Sequence, residues 1–253
     1  MSLKNYLKAV ARSGSVKFAK DMQHETPTGE TDAITIDGQP FYYRIGTSDP
    51  HLAYLILMKK PGEYAMPELF SPKVILDIGA NVGATARFFA REYPLAKIYC
   101  FEPVAENFAM LEKNIAAFPQ IRAFNIGLGK KTETIKIFHS DNQANFGGFS
   151  RFQAGSDTGT TSTVQIEACE DFFAREHIDP IDFIKIDTEG AEYDILTAIP
   201  LARLANAQWI VGELHEQDDF KLLDYLSAHF EIGIKKTIGK RLSMFYAKKK
   251  VSG

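Results

Sequence analysis

The chain has 253 residues, of which 45% are hydrophobic, 24% charged and 12% aromatic, a balance that excludes global disorder, collagen-like repeats and a coiled coil. At ~150 residues per domain the length allows one or two domains, and 29 basic against 32 acidic residues leave a net charge of −3. A partner of nucleic-acid phosphates needs a basic excess or a basic face, so nucleic acid is not expected as a partner.

The two cysteines, Cys100 and Cys169, lie far apart and outside any CxxC pair. That argues against a disulfide framework or a structural zinc site and suits a reducing, cytoplasmic location. The longest uncharged apolar stretch near the start, residues 53–58, is too short to cross a bilayer. Lys4, Lys8 and Arg12 interrupt any signal-peptide core, so no stable membrane insertion is expected.

Residues 1–20 carry Leu3, Tyr6, Leu7 and Val10 at helical spacing, among Lys4, Lys8, Arg12, Lys17 and Lys20. Such a basic amphipathic helix can lie on a membrane or a partner; the plainer expectation is a helix docked by that apolar face, with its lysines in water. A polar loop over 21–33 precedes two strands, 33–36 and 41–45, joined through Asp37-Gly38, a hairpin signal. Periodicity leaves 53–58 open between helix and strand. The segment 1–70 reads as an N-terminal helix and cap, and 71–253 as the main domain.

From residue 73 the pattern becomes an alternation of strand and helix. Strands are expected at 74–78, 97–101, 121–126, 181–186, 209–214 and 232–237, with helices at 84–92, 105–117, 169–177, 191–199 and 218–230. Short buried strands separated by helices define βαβ units and a mostly parallel sheet. The last strand, 243–248, follows its neighbour with no room for a helix, so the pair must form a hairpin and place one antiparallel strand in the sheet. Strand candidates at 134–138 and 163–167 flank a Gly/Ser/Asn/Thr-rich stretch, 140–162, which reads as an inserted loop. Phe146, Phe149 and Phe152 beside Gly147-Gly148 make that loop a candidate lid over a substrate.

The first strand runs into Asp77-Ile-Gly79-Ala80-Asn81-Val-Gly83. Glycines here let the backbone approach a ligand and let the next helix start close to the strand, and the exposed amides at the helix start favour polar or anionic groups. The second strand ends in Phe101-Glu102-Pro103, where a carboxylate can accept both hydroxyl hydrogens of a ribose. Two cofactor classes use this layout. A nicotinamide dehydrogenase prefers glycine where Asn81 stands and needs a Tyr-x-x-x-Lys pair. The two such spacings, Tyr93 to Lys97 and Tyr246 to Lys250, fall where a hydride-transfer site is not expected. An acid two residues before the first glycine, and a closing antiparallel hairpin, instead favour S-adenosylmethionine.

The block from Val74 to Glu192 resembles the FkbM family of class I, S-adenosylmethionine-dependent methyltransferases. Asp77 to Gly83, Phe101-Glu102-Pro103 and above all Phe183-Ile-Lys-Ile-Asp187-Thr-Glu-Gly-Ala-Glu192 carry the resemblance. It implies a seven-stranded Rossmann-like sheet and mostly O-methylation of hydroxyls on sugars, polyketides or related metabolites, with a small-molecule or glycan acceptor. By carry-over, Asp77, Gly79, Ala80, Asn81 and Gly83 line the methionine and ribose side of S-adenosylmethionine, and of the product S-adenosylhomocysteine. Glu102 holds the ribose, and Asn125 and Gly127 lie near the adenine. The family more often has Ala-Leu where this chain has Gly127-Leu128, and the first seventy residues match it weakly.

Asp187 and Glu189 follow the fourth strand, on the edge where open α/β sheets bind ligands; Lys185 shares a sheet face with Asp187 and is placed to pair with a carboxylate. The fifth strand ends in Glu213-Leu-His215. Neighbouring strand ends bring these groups into one cleft, with Asp187 beside the methyl donor. His215 is the expected general base, as a neutral imidazole, and Glu189 its competitor. The plainer readings make Glu189 a helix cap and His215 a satisfied loop histidine. By ligand type the group also suits magnesium or calcium, but the resemblance lends a metal no clear support, so none is expected. An Asn-Pro-Pro-Tyr-like sequence is absent, against methylation of DNA bases. The alternatives are an NAD(P)-dependent oxidoreductase and a non-catalytic nucleoside-binding protein.

Overall fold

The computed structural model describes residues 1–59, 64, 66, 70–139, 149–150, 161–215, 218–236 and 243–250. In chain order the elements begin with α1 (Leu3–Ser13), α2 (Val16–Asp21), β1 (Thr31–Ile36), β2 (Gln39–Arg44) and α3 (Asp49–Leu52), which continues as a π-helical segment, Ala53–Met58. There follow β3 (Val74–Ile78), α4 (Ala84–Glu92), β4 (Lys97–Phe101), α5 (Ala105–Ile115), β5 (Ile121–Phe124), β6 (Gly127–Gly129), β7 (Glu133–His139), β8 (Phe149–Ser150) and β9 (Thr161–Ala168). The series ends with α6 (Cys169–Arg175), β10 (Phe183–Ile186), α7 (Glu192–Ala198), α8 (Leu201–Leu204), β11 (Trp209–Leu214), α9 (Asp219–Ser227), β12 (Phe230–Lys236) and β13 (Ser243–Lys249).

The main sheet has seven strands in the order β12-β13-β11-β10-β3-β4-β5. Only β13 runs antiparallel to its neighbours, as the missing helix between the last two strands requires. Its central strands are apolar on both faces because both are covered. Ile75, Ile98, Phe183 and Val211 point into one cluster with α4 and the N-terminal segment. Leu76, Phe101, Ile184 and Ile210 point into another with α6, α7 and α9. This is the Rossmann-like, mostly parallel architecture that the alternation predicts.

Residues 1–58 are built onto the first of these faces. Asp37 and Gly38, both at positive φ, close the β1–β2 hairpin in two residues, as expected. The buried guanidinium of Arg87 on α4 donates to the carbonyls of Ile36, Gln39 and Pro40 and so ties the hairpin down. Asn114 on α5 does the same at Tyr42, accepting from its N–H and donating to its carbonyl.

The N-terminal helix departs from expectation in two ways. Gly14, at φ 66°, ends α1 in a left-handed cap and Ser15 caps α2, so one helix becomes two. The docked face runs through Ala9, with Tyr6 and Val10 beside it; Leu3 and Leu7 are 74% and 57% exposed. Alanine lets α1 approach closely, which a leucine face would prevent. The segment left open between helix and strand is helical. A short helix, α8, appears where none is expected. The 134–138 and 163–167 candidates are β7 and β9, which pair antiparallel and join β6 and β8 in a second, four-stranded sheet. Phe146, Phe152, Gly147-Gly148 and the 238–240 turn lie outside the described residues, as does the side chain of Phe149. Among the described residues, no helix is long and apolar enough to cross a membrane.

Candidate active site

A cavity of about 1010 Å³ opens at the C-terminal ends of β3, β4, β10 and β11. The small sheet closes its far side through Leu128, Ile137 and Ile166, and Leu52, Ile56 and Tyr64 roof it from the N-terminal segment.

At one end is the turn after β3. The Gly79 and Ala80 amides both donate to the Phe101 carbonyl at 3.0 Å, which fastens the turn to the neighbouring strand end. Gly79 sits at φ 77°, and a Cβ there would lie 1.9 Å from the Asp187 carbonyl oxygen, so only glycine fits. Asn81, also left-handed at φ 48°, lines the cavity, and among the described residues its buried Oδ1 has no hydrogen-bond partner. Glu102 accepts from the Asn81 amide (2.9 Å) and the Val104 amide (3.0 Å), one on each oxygen. The Asn107 side chain also hydrogen-bonds this carboxyl, so one of its four lone-pair sites stays open, and a second hydroxyl would take the place of Asn107. Burial pushes Glu102 up to about 7, against the backbone bonds and nearby Lys185 and Asn107 that favour the carboxylate.

Gly79, Ala80, Asn81, Glu102 and Gly127 all line the cavity, as expected, but three of the residues expected to touch the cofactor do not. Asp77 is wholly buried beneath the turn, beside Lys185. Gly83 faces α5, where a Cβ would meet Leu111 at 2.8 Å; its glycine serves helix packing. Asn125 donates to the Glu102 carbonyl oxygen at 2.9 Å and so steadies a strand end from outside the cavity.

The other end carries the acids. Asp187, Glu189 and Glu213 line the cavity, and Tyr64 Oη donates to Asp187 at 3.3 Å. Glu189 at φ 55° and Gly190 at φ 105° form a left-handed turn that aims the Glu189 side chain; an αL glutamate is strained, and such strain gathers at functional sites. Behind them lies His215, its side chain only 7% exposed. Its Nε2 is 3.6 Å from both Asp187 Oδ1 and Glu189 Oε2 and 3.9 Å from Glu213 Oε2; its Nδ1 is 3.2 Å from Glu192 Oε1.

Burial disfavours the imidazolium, yet Glu192 on Nδ1, with Asp187 and Glu189 nearby, raises His215 to about 9. That direction favours the imidazolium, against the expected neutral His215 as general base. The ring is charged at neutral pH and stands behind the cavity wall, and the competing Glu189 is the group that reaches the cavity. Glu192, the residue that sequence reasoning missed, also accepts from the Thr188 amide (2.7 Å) and hydroxyl (3.1 Å) and the Gly190 amide (3.4 Å). Burial would raise its carboxyl, but the His215 contact outweighs this and lowers it. The available signal was its place at the end of the Asp187 to Glu192 run, as the first residue of the helix that follows the acids.

A cofactor-sized cavity at the strand ends of a seven-stranded sheet, with an acid on its second strand end, defines a Rossmann-like class I architecture. Residues 77–232, more than half of the chain, match the methyltransferase FkbM domain, and the chain belongs to that family. It is 28% identical over 204 residues to the AMB antimetabolite synthetase AmbE of Pseudomonas aeruginosa, covering 64% of this chain and 10% of that protein. Identity is 28% over 159 residues with the 2-O-methyltransferase NoeI of Sinorhizobium fredii, covering 57% of this chain and 64% of NoeI. A crystal structure of methyltransferase FkbM from Methylobacillus flagellatus superposes with a TM-score of 0.51 at 16% identity, over 78% of this chain and 47% of that one, and shows the shared fold. The chain thus spans less than two thirds of each.

Proposed function

We propose that the protein is an S-adenosylmethionine-dependent O-methyltransferase acting on a hydroxyl of a sugar, polyketide or similar small metabolite. One observation carries the reading: a single cavity joins nucleoside-type acceptors, Glu102 and the unpartnered Asn81 Oδ1, to the carboxylates Asp187, Glu189 and Glu213. FkbM membership and the relative named a 2-O-methyltransferase support it. The residues fit the cofactor: Glu102 would hold the ribose hydroxyls, Asn81 a donor such as the amino group, and Gly79 and Ala80 the close approach of its backbone-facing side. Bound there, S-adenosylmethionine supplies an electrophilic methyl on a sulfonium.

The chain's own contribution is to hold an acceptor oxygen in line with that methyl, which supplies much of the rate. Glu189, on the cavity wall, takes the hydroxyl proton, and the charged His215 orients Asp187 and Glu189 from behind. Neither Tyr-x-x-x-Lys pair lines the cavity, which disfavours the oxidoreductase.

Calorimetric titration with S-adenosylhomocysteine and with NAD separates the two enzymes: binding of the former alone is expected, and binding of NAD alone would overturn the reading. Transfer of labelled methyl to a panel of hydroxylated acceptors then tests O-methylation; a chain that binds S-adenosylhomocysteine and methylates none of them is a binder. Glu189→Gln should lower turnover ~10²–10⁴-fold, the range for a lost acid–base group, with S-adenosylhomocysteine affinity unchanged.

A further inference from the structure

The acids at the cavity end have a property that proton transfer alone leaves unexplained. Asp187, Glu189 and His215 each offer one ligand atom, and the three atoms lie within 4.8 Å of one another. The buried His215 Nε2 makes no hydrogen bond among the described residues, although it points between two carboxylate oxygens at 3.6 Å each. Ligands bound to a divalent ion at ~2.0–2.2 Å stand ~3.0–3.4 Å apart. The two His215 contacts reach that spacing by closing a few tenths of an ångström, and rotation of the two carboxylate side chains brings their oxygens, now within 4.8 Å, onto the same ion.

We propose that Asp187 Oδ1, Glu189 Oε2 and His215 Nε2 form a divalent-cation site on the cavity wall, suited to a borderline first-row ion such as Mn²⁺. This departs from the expectation of no metal.

Three features support the site beyond the ligand set. Glu192 Oε1 stands 3.2 Å from Nδ1, the ring nitrogen that faces away from the trio. A carboxylate on the second nitrogen of a ligating histidine fixes its tautomer and makes it a better donor. Glu192 is itself held by the Thr188 and Gly190 amides, so the turn that carries Glu189 and the ring of His215 hang from one buried carboxylate. Finally, Asp187 and Glu189 line the cavity while His215 lies behind them. An ion among the three therefore has protein on one side and open coordination positions on the other.

Imidazole with two carboxylates favours Mn²⁺, Fe²⁺ or Zn²⁺ over Mg²⁺ and Ca²⁺, which prefer oxygen alone. Binding sends the Nε2 proton to solvent, and the ion takes over from the imidazolium in holding Asp187 and Glu189; its open positions would face an acceptor hydroxyl, whose proton the free oxygen of Glu189 would take. That last role rests on the methyltransferase reading; binding of the ion does not.

The test uses Mn²⁺ alone on the chelator-treated full chain, with the free-ion electron paramagnetic resonance signal as readout. One ion per chain is expected to bind, and a large excess of Mg²⁺ should fail to displace it. His215→Gln and Asp187→Asn should each weaken binding at least tenfold, and Glu192→Gln ~10–100-fold through the second nitrogen. Glu189→Gln, on a residue whose side chain is 35% exposed, is the variant least able to disturb folding and should also lose at least tenfold. Absence of saturable binding, or a folded Glu189→Gln chain that binds Mn²⁺ like the wild type, overturns the site. S-adenosylhomocysteine affinity is measured in parallel: its loss alongside intact Mn²⁺ binding would reject the methyl-donor reading and leave the cation site standing.

Discussion

Lys185 Nζ lies 3.1 Å from Asp77 Oδ1, and the two residues stand opposite one another in register on β10 and β3, both closed to solvent. The ammonium also donates to the Gly79 carbonyl at 2.6 Å, so one buried cation ties the acid that opens the turn to the turn itself. Burial works to lower the lysine's pKa, but Asp77 and, further off, Asp187 raise it above the ordinary value, and it remains charged. The arrangement explains why Asp77 matters while never reaching the cavity: it is the counter-ion of the residue that holds the turn.

The first prediction follows from that pair. Lys185→Met leaves Asp77 buried without a partner, and breaking one side of a buried ion pair costs ~3–5 kcal/mol. Chemical denaturation should show the loss, and Lys185→Met combined with Asp77→Asn should recover much of it. A double variant no more stable than Lys185→Met would mean that the two residues act independently.

Glu102 gives a pH dependence. Its carboxyl titrates near 7 in the folded chain against an ordinary 4.5. The folded protein therefore keeps a proton that the unfolded chain releases, and stability falls as pH rises from about 4.5 to about 7. The full effect is at most ~3 kcal/mol, at 1.36 kcal/mol per unit, and Glu102→Gln should flatten it in a melting series across pH.

The same group governs the cofactor. Two ribose hydroxyls need the carboxylate, so S-adenosylhomocysteine affinity should climb as pH rises through about 7 and lose that slope in Glu102→Gln. Glu102→Ala should weaken binding by ~2–4 kcal/mol, at ~1.5–3 kcal/mol per charge-assisted bond less water compensation. A folded Glu102→Ala chain with wild-type affinity removes Glu102 from the site.

Two glycines at positive φ, Gly79 at 77° and Gly190 at 105°, should behave differently. Gly79→Ala drives a Cβ to 1.9 Å from the Asp187 carbonyl, whereas Gly190 has nothing within 4 Å of the added atom. Gly79→Ala is expected to abolish S-adenosylhomocysteine binding or folding. Gly190→Ala should cost only the ~1–2 kcal/mol of a left-handed alanine. Equal melting temperatures for the two variants would contradict the close approach.

Arg87 tests the attachment of the N-terminal segment. Arg87→Met strips three carbonyls of a buried donor, at ~1–3 kcal/mol for each acceptor left dry. Hydrogen exchange should then speed up across β1 and β2 while β3 and β4 stay protected. Uniform exchange throughout the chain would show that the hairpin and the sheet open together.

The central sheet was legible because its strands are buried on both faces: Val74–Ile78 and Phe183–Ile186 read as apolar runs broken by one charge each, Asp77 and Lys185, and the glycines and Glu102 fall at strand ends. The N-terminal helices were harder, since α1 docks through the small Ala9 and spends its leucines on solvent, against the size-weighted pattern. Within the site, Gly79, Ala80, Asn81, Glu102, Asp187 and Glu189 line the cavity because they lie on turns directly after strands. Asp77 was misplaced because strand alternation does not say which face is covered by a lysine on the neighbouring strand. The surroundings of His215 were not legible because they depend on Glu192, the first residue of α7, and only tertiary packing sets that contact.

The position of β13 bears on how the sheet assembles. It lies between β11 and β12, although it follows both in the chain. Until residues 243–249 have formed, β11 presents an unpaired edge and β12 has no neighbour in the sheet. An open, apolar edge of this kind is a template for pairing with another chain. A ribosome-bound or truncated chain ending before Ser243 should therefore self-associate through β11, and the final hairpin serves as the clasp that covers that edge.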